Sequence, residues 1–303
     1  MTRLGLRPYH VGDDPPPGSV PVSVIVLTLN EEPNIRRCLA SVAWADQVVV
    51  VDSCSADNTV PLAEAAGAEV VGQPWLGFSA QREYALGLPM LRHDWVYLVD
   101  ADEWVSPQLA AEIAAKLADP DCAGFAHRLR LVFMGTWICH CGWYRGSWVV
   151  RLVDRRYTKY DGTWVARACV EGRIRRLDND IVDEDRKGLA AWLHKHVHYA
   201  ELECERRGSA GDLLQRLRAL RHSGRTRPLA RSILKDLVFP AIPAKPAALF
   251  LYMYIARLGF LDGMGGLRFC LYHAWCEMSV AALRAETEAA RGGPVSETRM
   301  VRS

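Results

Sequence analysis

The sequence predicts an α/β protein: a doubly wound, mainly parallel sheet followed by a helical C-terminal extension. Three observations predict it. Short apolar, β-branched runs alternate with helix-period segments from Val22 to Leu117. Polar residues stand at the carboxyl ends of those runs, as Asn30, Asp52 and Asp100 do. From Leu189 onward the pattern is mainly helical. Strands alternating with helices build parallel sheets, and such sheets bind ligands beyond the carboxyl ends of their strands.

The elements follow in order. Val22–Leu29 is an apolar run bounded by Pro21 and Asn30 and reads as a buried strand. Glu31–Val42 places Ile35, Leu39 and Val42 at helical spacing. Gln47–Asp52 is a second strand. Asp57-Asn58-Thr59 opens a helix that reaches Ala66, and Gly67 closes it. Ala68–Val71 is a third strand, Ser79–Leu88 a helix, Trp95–Asp100 a fourth strand and Pro107–Leu117 a helix. Gly124–Ile174 is strand-like and rich in aromatics: Trp137, Trp143, Tyr144, Trp148, Tyr157, Tyr160 and Trp164. An acceptor-binding region would suit them, but most read as the core of an antiparallel extension.

The 303 residues suffice for one large domain with an appendage. The expected divisions are a leader (1–20), a nucleotide-binding half (21–123), an acceptor-side half (124–188), a helical basic and apolar region (189–290) and a tail (291–303). The nine cysteines are odd in number and irregularly spaced, which argues against a disulfide framework and for a reducing compartment. Met1–Val20 has no apolar core of signal-peptide type. No run of about 18 uninterrupted apolar residues suggests a conventional span. Residues 206–235 carry nine Lys or Arg and one acid, Asp212, and the apolar stretch Ala247–Ala256 follows after Pro240, Pro243, Lys245 and Pro246. Basic residues beside an apolar helix suit an anionic bilayer surface. The expected location is therefore cytoplasmic, peripheral on the inner face of the membrane. A helix packed on the domain with a solvated basic face is the alternative.

Asp100 and Asp102 flank a small alanine at a strand end, where a turning backbone lets both address one cation. Mg²⁺ or Mn²⁺ on carboxylates can neutralise the charge that grows on a departing nucleoside diphosphate. Asp52 can accept from the imide N–H of uracil or cap the turn after it. One of Asn30, Glu31 and Glu32 can bond base or ribose, or the glutamates serve as carboxylates favoured at a helix N-terminus. Arg82 can pair with phosphates or a base edge, or be solvated. Cys139-His140-Cys141 lacks a second ligand pair for zinc, and His194/His198 lacks the glutamate of a metalloprotease helix. No Gly-rich phosphate loop follows a strand, which argues against an NTPase or dehydrogenase. Asn30-Glu31-Glu32 has the wrong charge for a nucleotidyltransferase. No nucleic-acid partner is expected.

Several segments together resemble a known family: VSVIVLTLNEEPNIRRCLASVAWADQVVVVDSCSADNTVPLA, PWLGFSAQREYAL, DWVYLVDADEWVSPQLAAEI, CGWYRGSWVVRLVDRRYTKYDG, EDRKGLAAWLHKH and ARLGFLDGMGGLRF. They are similar to the inverting family 2 glycosyltransferases of the GT-A fold, and within them to bacterial enzymes that add glucose to heptose in the lipopolysaccharide inner core. The resemblance runs from about Pro21 to Arg284. It implies a UDP-sugar donor, a divalent metal and a membrane-borne glycolipid or glycan acceptor. It also implies that Thr28, Asn30, Glu32, Asp52 and Arg82 line the nucleotide site and that Asp100 and Asp102 bind metal and donor. Trp143, Tyr144 and Arg151 would lie near the transferred sugar and acceptor.

The sequence departs from that pattern in two places. A His-Glu pair is replaced within Trp164-Val165-Ala166, and a later histidine by Asp183. An inverting transfer needs a base for the acceptor hydroxyl, and Ala166 cannot serve. Glu103 is the first candidate, with Glu171 and Asp183 next. Asp183 could instead ligate the metal. A soluble acceptor, or a catalytically impaired homologue that only binds nucleotide sugar, are the alternatives these departures motivate.

Overall fold

A computed structural model describes residues 15–162, 166–206 and 244–292. Trp164, Val165, residues 207–235 of the basic run, and both ends of the chain lie outside them. The chain divides into two compact units, Met1–Gly188 and Leu189–Ser303.

The first unit opens with β1 (Val20–Thr28), α1 (Glu32–Ser41), β2 (Ala45–Asp52), α2 (Thr59–Ala65), β3 (Glu69–Gly72), α3 (Phe78–Leu86) and β4 (Trp95–Asp100). These bounds all lie within two residues of the expected ones. β5 (Glu103–Trp104), α4 (Pro107–Leu117), β6 (Gly124–His127), β7 (Leu129–Phe133), β8 (Thr136–Trp137) and β9 (Val149–Asp154) follow. β10 (Thr158–Tyr160), β11 (Ala168–Val170), β12 (Ile174–Arg176) and β13 (Ile181–Asp183) complete it. The main sheet has the order β12-β6-β9-β4-β1-β2-β3. β1 to β4 are mutually parallel where they pair, whereas β9 runs antiparallel to both β4 and β6. A smaller sheet has the order β5-β13-β7-β8, and β10 pairs with β11.

Alternation along β1 explains the double winding. Val22, Val24 and Val26 pack with Ile35 and Leu39 of α1 and Leu109 and Ile113 of α4. Ile25, between them, packs on the other face with Val49, Val51, Leu98 and Ala85. Ser106 caps α4 by accepting from Leu109 N at 3.2 Å, ahead of Pro107.

The aromatic-rich stretch departs from the expected core. Trp143 and Tyr157 are exposed, and Trp137, Tyr144, Trp148 and Tyr160 are only partly buried. Phe125, Ile138, Leu152 and Val153 fill the interior instead. Arginines lie over four of these rings, those of Trp137, Tyr144, Trp148 and Tyr157.

The second unit contains α5 (Gly188–Arg206), α6 (Lys245–Leu251) and α7 (Gly263–Gly292), with a π turn over Tyr252–Ala256 and a 3-10 turn over Gly259–Asp262. Trp192 of α5 stacks on His196, 3.6 Å between centroids, and both meet His273 of α7. No single described helix is long and apolar enough to cross a membrane. Lys245–Ala256 and Gly259–Thr287, bent by 75°, pass that test only as a pair. At the bend, a Cβ on Gly266 would stand 2.7 Å from Asp262 Cβ and closer still to the Gly259 carbonyl oxygen. Gly266→Ala is expected to cost about 1–3 kcal/mol. A thermal melt of the full chain checks this, and an unchanged melting temperature would contradict it.

Candidate active site

Strand register assembles the site. Thr28 pairs with Asp52 across β1 and β2, and Leu27 with Asp100 across β1 and β4. Asp52 and Asp100 therefore flank β1 at its carboxyl edge, about 10 Å apart at the neighbouring-strand spacing.

Asp52 is buried and well supplied with donors. Oδ1 accepts from Thr28 Oγ1 at 2.8 Å and Ser55 Oγ at 2.5 Å, and Oδ2 from Ser55 N at 2.8 Å. A carboxylate offers about four acceptor sites, so one place is left. The turn-capping reading of Asp52 is thus realised without excluding a ligand. Asn30 takes a left-handed φ of 53°, which asparagine tolerates better than most residues. Its Oδ1 accepts from Ala56 N and its own N–H donates to Ser55 Oγ. Glu32 accepts from Asn58 N and Nδ2. Asn30 and Glu32 thus brace the loop that follows β2.

Asp100 is the hub of an ion-pair network. Arg82, expected on the donor, gives Nη2 to both Asp100 oxygens, at 2.8 and 3.1 Å. Arg151 Nη2 reaches Asp100 Oδ2 at 2.6 Å and Glu103 Oε1 at 3.2 Å. Phe125 pairs with Leu152 and Ala126 with Val150, so Arg151 is the extra residue of a β-bulge. A bulge re-aims a side chain, and here it accounts for the reach toward β4. Burial opposes the Arg151 charge, but Asp100 and Glu103 outweigh it and hold the guanidinium firmly protonated. Arg151 Nη1 and the Tyr160 hydroxyl are buried without a hydrogen-bond partner among the described residues.

Glu103, the first candidate for the base, is almost fully enclosed. Its Oε2 accepts from Asp100 N at 2.9 Å and its Oε1 from Arg151. Burial pushes its carboxyl up to about 8; Arg151 pulls it down, and Asp100 and Asp102 push it up. Both Glu103 oxygens thus accept hydrogen bonds within the network. Asp183 pairs directly with Glu103 across β13 and β5 and is only partly buried. The next residue, Glu184, donates its N–H to Asp102 O at 3.0 Å, so Asp183 stands beside Asp102. Glu171 is exposed in the turn after β11, its N–H bonded to Tyr157 O. Among the described residues no three His, Cys, Asp or Glu side chains form a metal cage.

Of the residues expected near an acceptor, Trp143 is exposed, while Tyr144 donates to Asp180 Oδ2 at 2.8 Å and stands edge-on to Trp137.

The profile of Glycosyl transferase family 2 matches residues 23–182, just over half of the chain. The chain belongs to glycosyl transferase family 2. An "Uncharacterized glycosyltransferase" of Rickettsia bellii (strain RML369-C) is 39% identical over 115 residues, 37% of this chain and 38% of the relative. The "Lipopolysaccharide core biosynthesis glycosyltransferase LpsC" of Rhizobium meliloti (strain 1021) is 31% identical over 107 residues, 34% of this chain and 39% of that protein. Each match thus spans well under half of the relative's length. Among solved structures, glucosyl-3-phosphoglycerate synthase from Mycobacterium tuberculosis, in complex with Mn²⁺, UDP and glucosyl-3-phosphoglycerate, is 25% identical. That likeness covers 37% of this chain and 44% of the other, with a TM-score of 0.32.

The family 2 domain ends against a charged strap that the residue-level reading did not single out. Arg37 pairs with Glu184, and Lys187 Nζ reaches Glu31 Oε1 at 2.6 Å. Asn34, fully buried, donates to Asp185 Oδ1 and accepts from Arg186 N. The charge density of Asp183-Glu184-Asp185-Arg186-Lys187 was the available signal. It carries no information on which helix it meets. Burial and then Asp102 raise the Glu31 carboxyl, while Lys187 and Asn34 lower it. Glu103, Asp102, Asp100 and Glu31 all act on the buried Cys38 thiol, which burial has already pushed up. Four carboxylates therefore crowd one end of the family 2 domain.

Proposed function

We propose that this chain moves a sugar from a UDP-sugar to a hydroxyl of a lipid-linked or cell-envelope glycan, with inversion and with a divalent metal. The observation that carries the reading is the placing of Asp52 and Asp100–Asp102 on either side of β1 in a family 2 domain. Asp52, with one acceptor site left, suits the uracil imide. Asp102 suits a hard divalent ion that arrives with a diphosphate, because such an ion needs only one or two protein carboxylates beside phosphate oxygens. When bound, the ion would neutralise the charge growing on the departing nucleoside diphosphate. Arg82 and Arg151 fix Asp100 from two sides, so the edge facing the donor is set before it binds.

The base is assigned to Asp183, the partly exposed carboxylate beside Asp102. Asp183→Asn should lower transfer by about 10²-fold or more while leaving Mn²⁺-dependent UDP affinity unchanged. A loss of that affinity would make Asp183 a metal ligand instead.

A membrane-borne acceptor is supported by the second unit. Leu251, Tyr252, Ile255, Leu261, Met264 and Met278 are all more than half exposed. Large exposed apolar surface suits partners or bilayers. On this reading the protein lies on the inner face of the cell membrane. It should float with vesicles containing anionic lipid at low salt, and recovery wholly in the unbound fraction would favour a soluble acceptor. The function itself is tested by UDP release from a panel of UDP-sugars with Mn²⁺. Release from none, with or without candidate glycans, would refute it.

A further inference from the structure

A second charged centre lies at the start of β9, away from the Asp100 network. Arg128, linking β6 to β7, lies over two rings, 4.7 Å from the Tyr144 centroid and 5.2 Å from that of Trp148. Arg176, at the end of edge strand β12, lies 4.5 Å from the same Trp148 centroid. The backbone explains the convergence. Leu177 N donates to Ala126 O and Ile181 N to Arg128 O, so the chain leaving β12 runs beside the β6–β7 link.

Charge does not balance there. Asp180 is the carboxylate of the cluster and is buried. Its Oδ2 already accepts from Arg130 at 2.9 Å and from the Tyr144 hydroxyl at 2.8 Å. Arg128 Nε stands 3.5 Å from Asp180 Oδ1, an ion-pair distance without a hydrogen bond. Arg173 and Arg175 pair with Asp121, but Arg176, of opposite strand parity to both, makes no ion pair among the described residues. A guanidinium over an aromatic face keeps its in-plane N–H donors for an oxyanion, and arginine suits phosphate and carboxylate alike. Trp148 precedes Arg151 by three residues, so the two backbones lie at most about 11 Å apart.

We propose that Arg128 and Arg176, gathered at Trp148, bind a phosphate or carboxylate on the acceptor glycan, which makes the acceptor an anionic sugar. Only the identity of the bearer rests on the transferase reading; the oxyanion site rests on the cluster.

The test is calorimetry on the full chain at low salt with excess UDP and Mn²⁺. The probes are glucose 6-phosphate and glucuronate, with glucose as the neutral control. At least one anionic sugar should bind, glucose should not, and the preferred probe identifies phosphate or carboxylate as the source. The R128Q/R176Q double variant should bind that probe at least tenfold more weakly with unchanged UDP affinity. R176Q alone, on an exposed edge strand, should weaken it several-fold without unfolding. Absence of anionic-sugar binding to the wild type, glucose binding as tightly, or affinity unchanged in both variants would overturn the proposal. If the wild type fails to bind UDP yet binds the probe and loses it in R176Q, the donor reading fails and the oxyanion site stands.

Discussion

Asp102→Ala is expected to abolish metal-dependent turnover, lowering kcat by about 10³-fold, or about 4 kcal/mol of transition-state stabilisation, while leaving the fold intact. The two halves of that expectation have one cause. Asp102 stands in a crowd of carboxylates: it raises the Glu31 carboxyl, after burial, and adds to the rise at Glu103. A group whose folded pKa is raised keeps its proton to higher pH folded than unfolded. Stability then falls as pH climbs through and above the ordinary carboxylate range. Removing Asp102 relieves that cost at neutral pH and offsets the loss of its own contacts. The variant should melt within about 1 kcal/mol of the wild type in stability, with a shallower decline of stability from about pH 4.5 upward. Inactivity with a large fall in melting temperature would show instead that Asp102 holds the fold.

Arg151→Met should behave in the opposite way. Arg151 is the buried cation between Asp100 and Glu103, with 13% of its side chain exposed against 2% for Glu103. Deleting one member of a buried ion pair leaves the other uncompensated and costs about 3–5 kcal/mol. In a domain of this size that is a fall of about 10 °C in melting temperature. Adding Asp100→Asn should recover part of the loss, because a neutral amide no longer needs the cation. A double-mutant cycle reads this as a coupling energy. Additive effects of the two changes would contradict the network.

The carboxyl edge of the parallel strands was legible in the sequence because it depends on local pattern. Apolar runs end at Asp52 and Asp100, and parallel pairing to β1 brings those ends together. The partners of Asp100 were not legible. Arg82 lies on α3, and Arg151 reaches Asp100 from a strand 51 residues on, through a one-residue bulge that no periodicity announces. The aromatics of Gly124–Ile174 looked like core by composition. Trp148 and Tyr144 instead lie under arginines and are only partly buried. The base stayed open for a similar reason. Glu103 and Asp183 are 80 positions apart in sequence yet adjacent in a ladder, and only burial separates their roles.

The most direct measurement of the central claim is calorimetric titration of UDP into the full chain, with and without Mn²⁺, for the wild type and Asp102→Ala. The account predicts that Mn²⁺ tightens UDP binding to the wild type at least tenfold and that Asp102→Ala loses this gain while remaining folded. Equal UDP affinity with and without the ion, or an Mn²⁺ effect undiminished in Asp102→Ala, would contradict it.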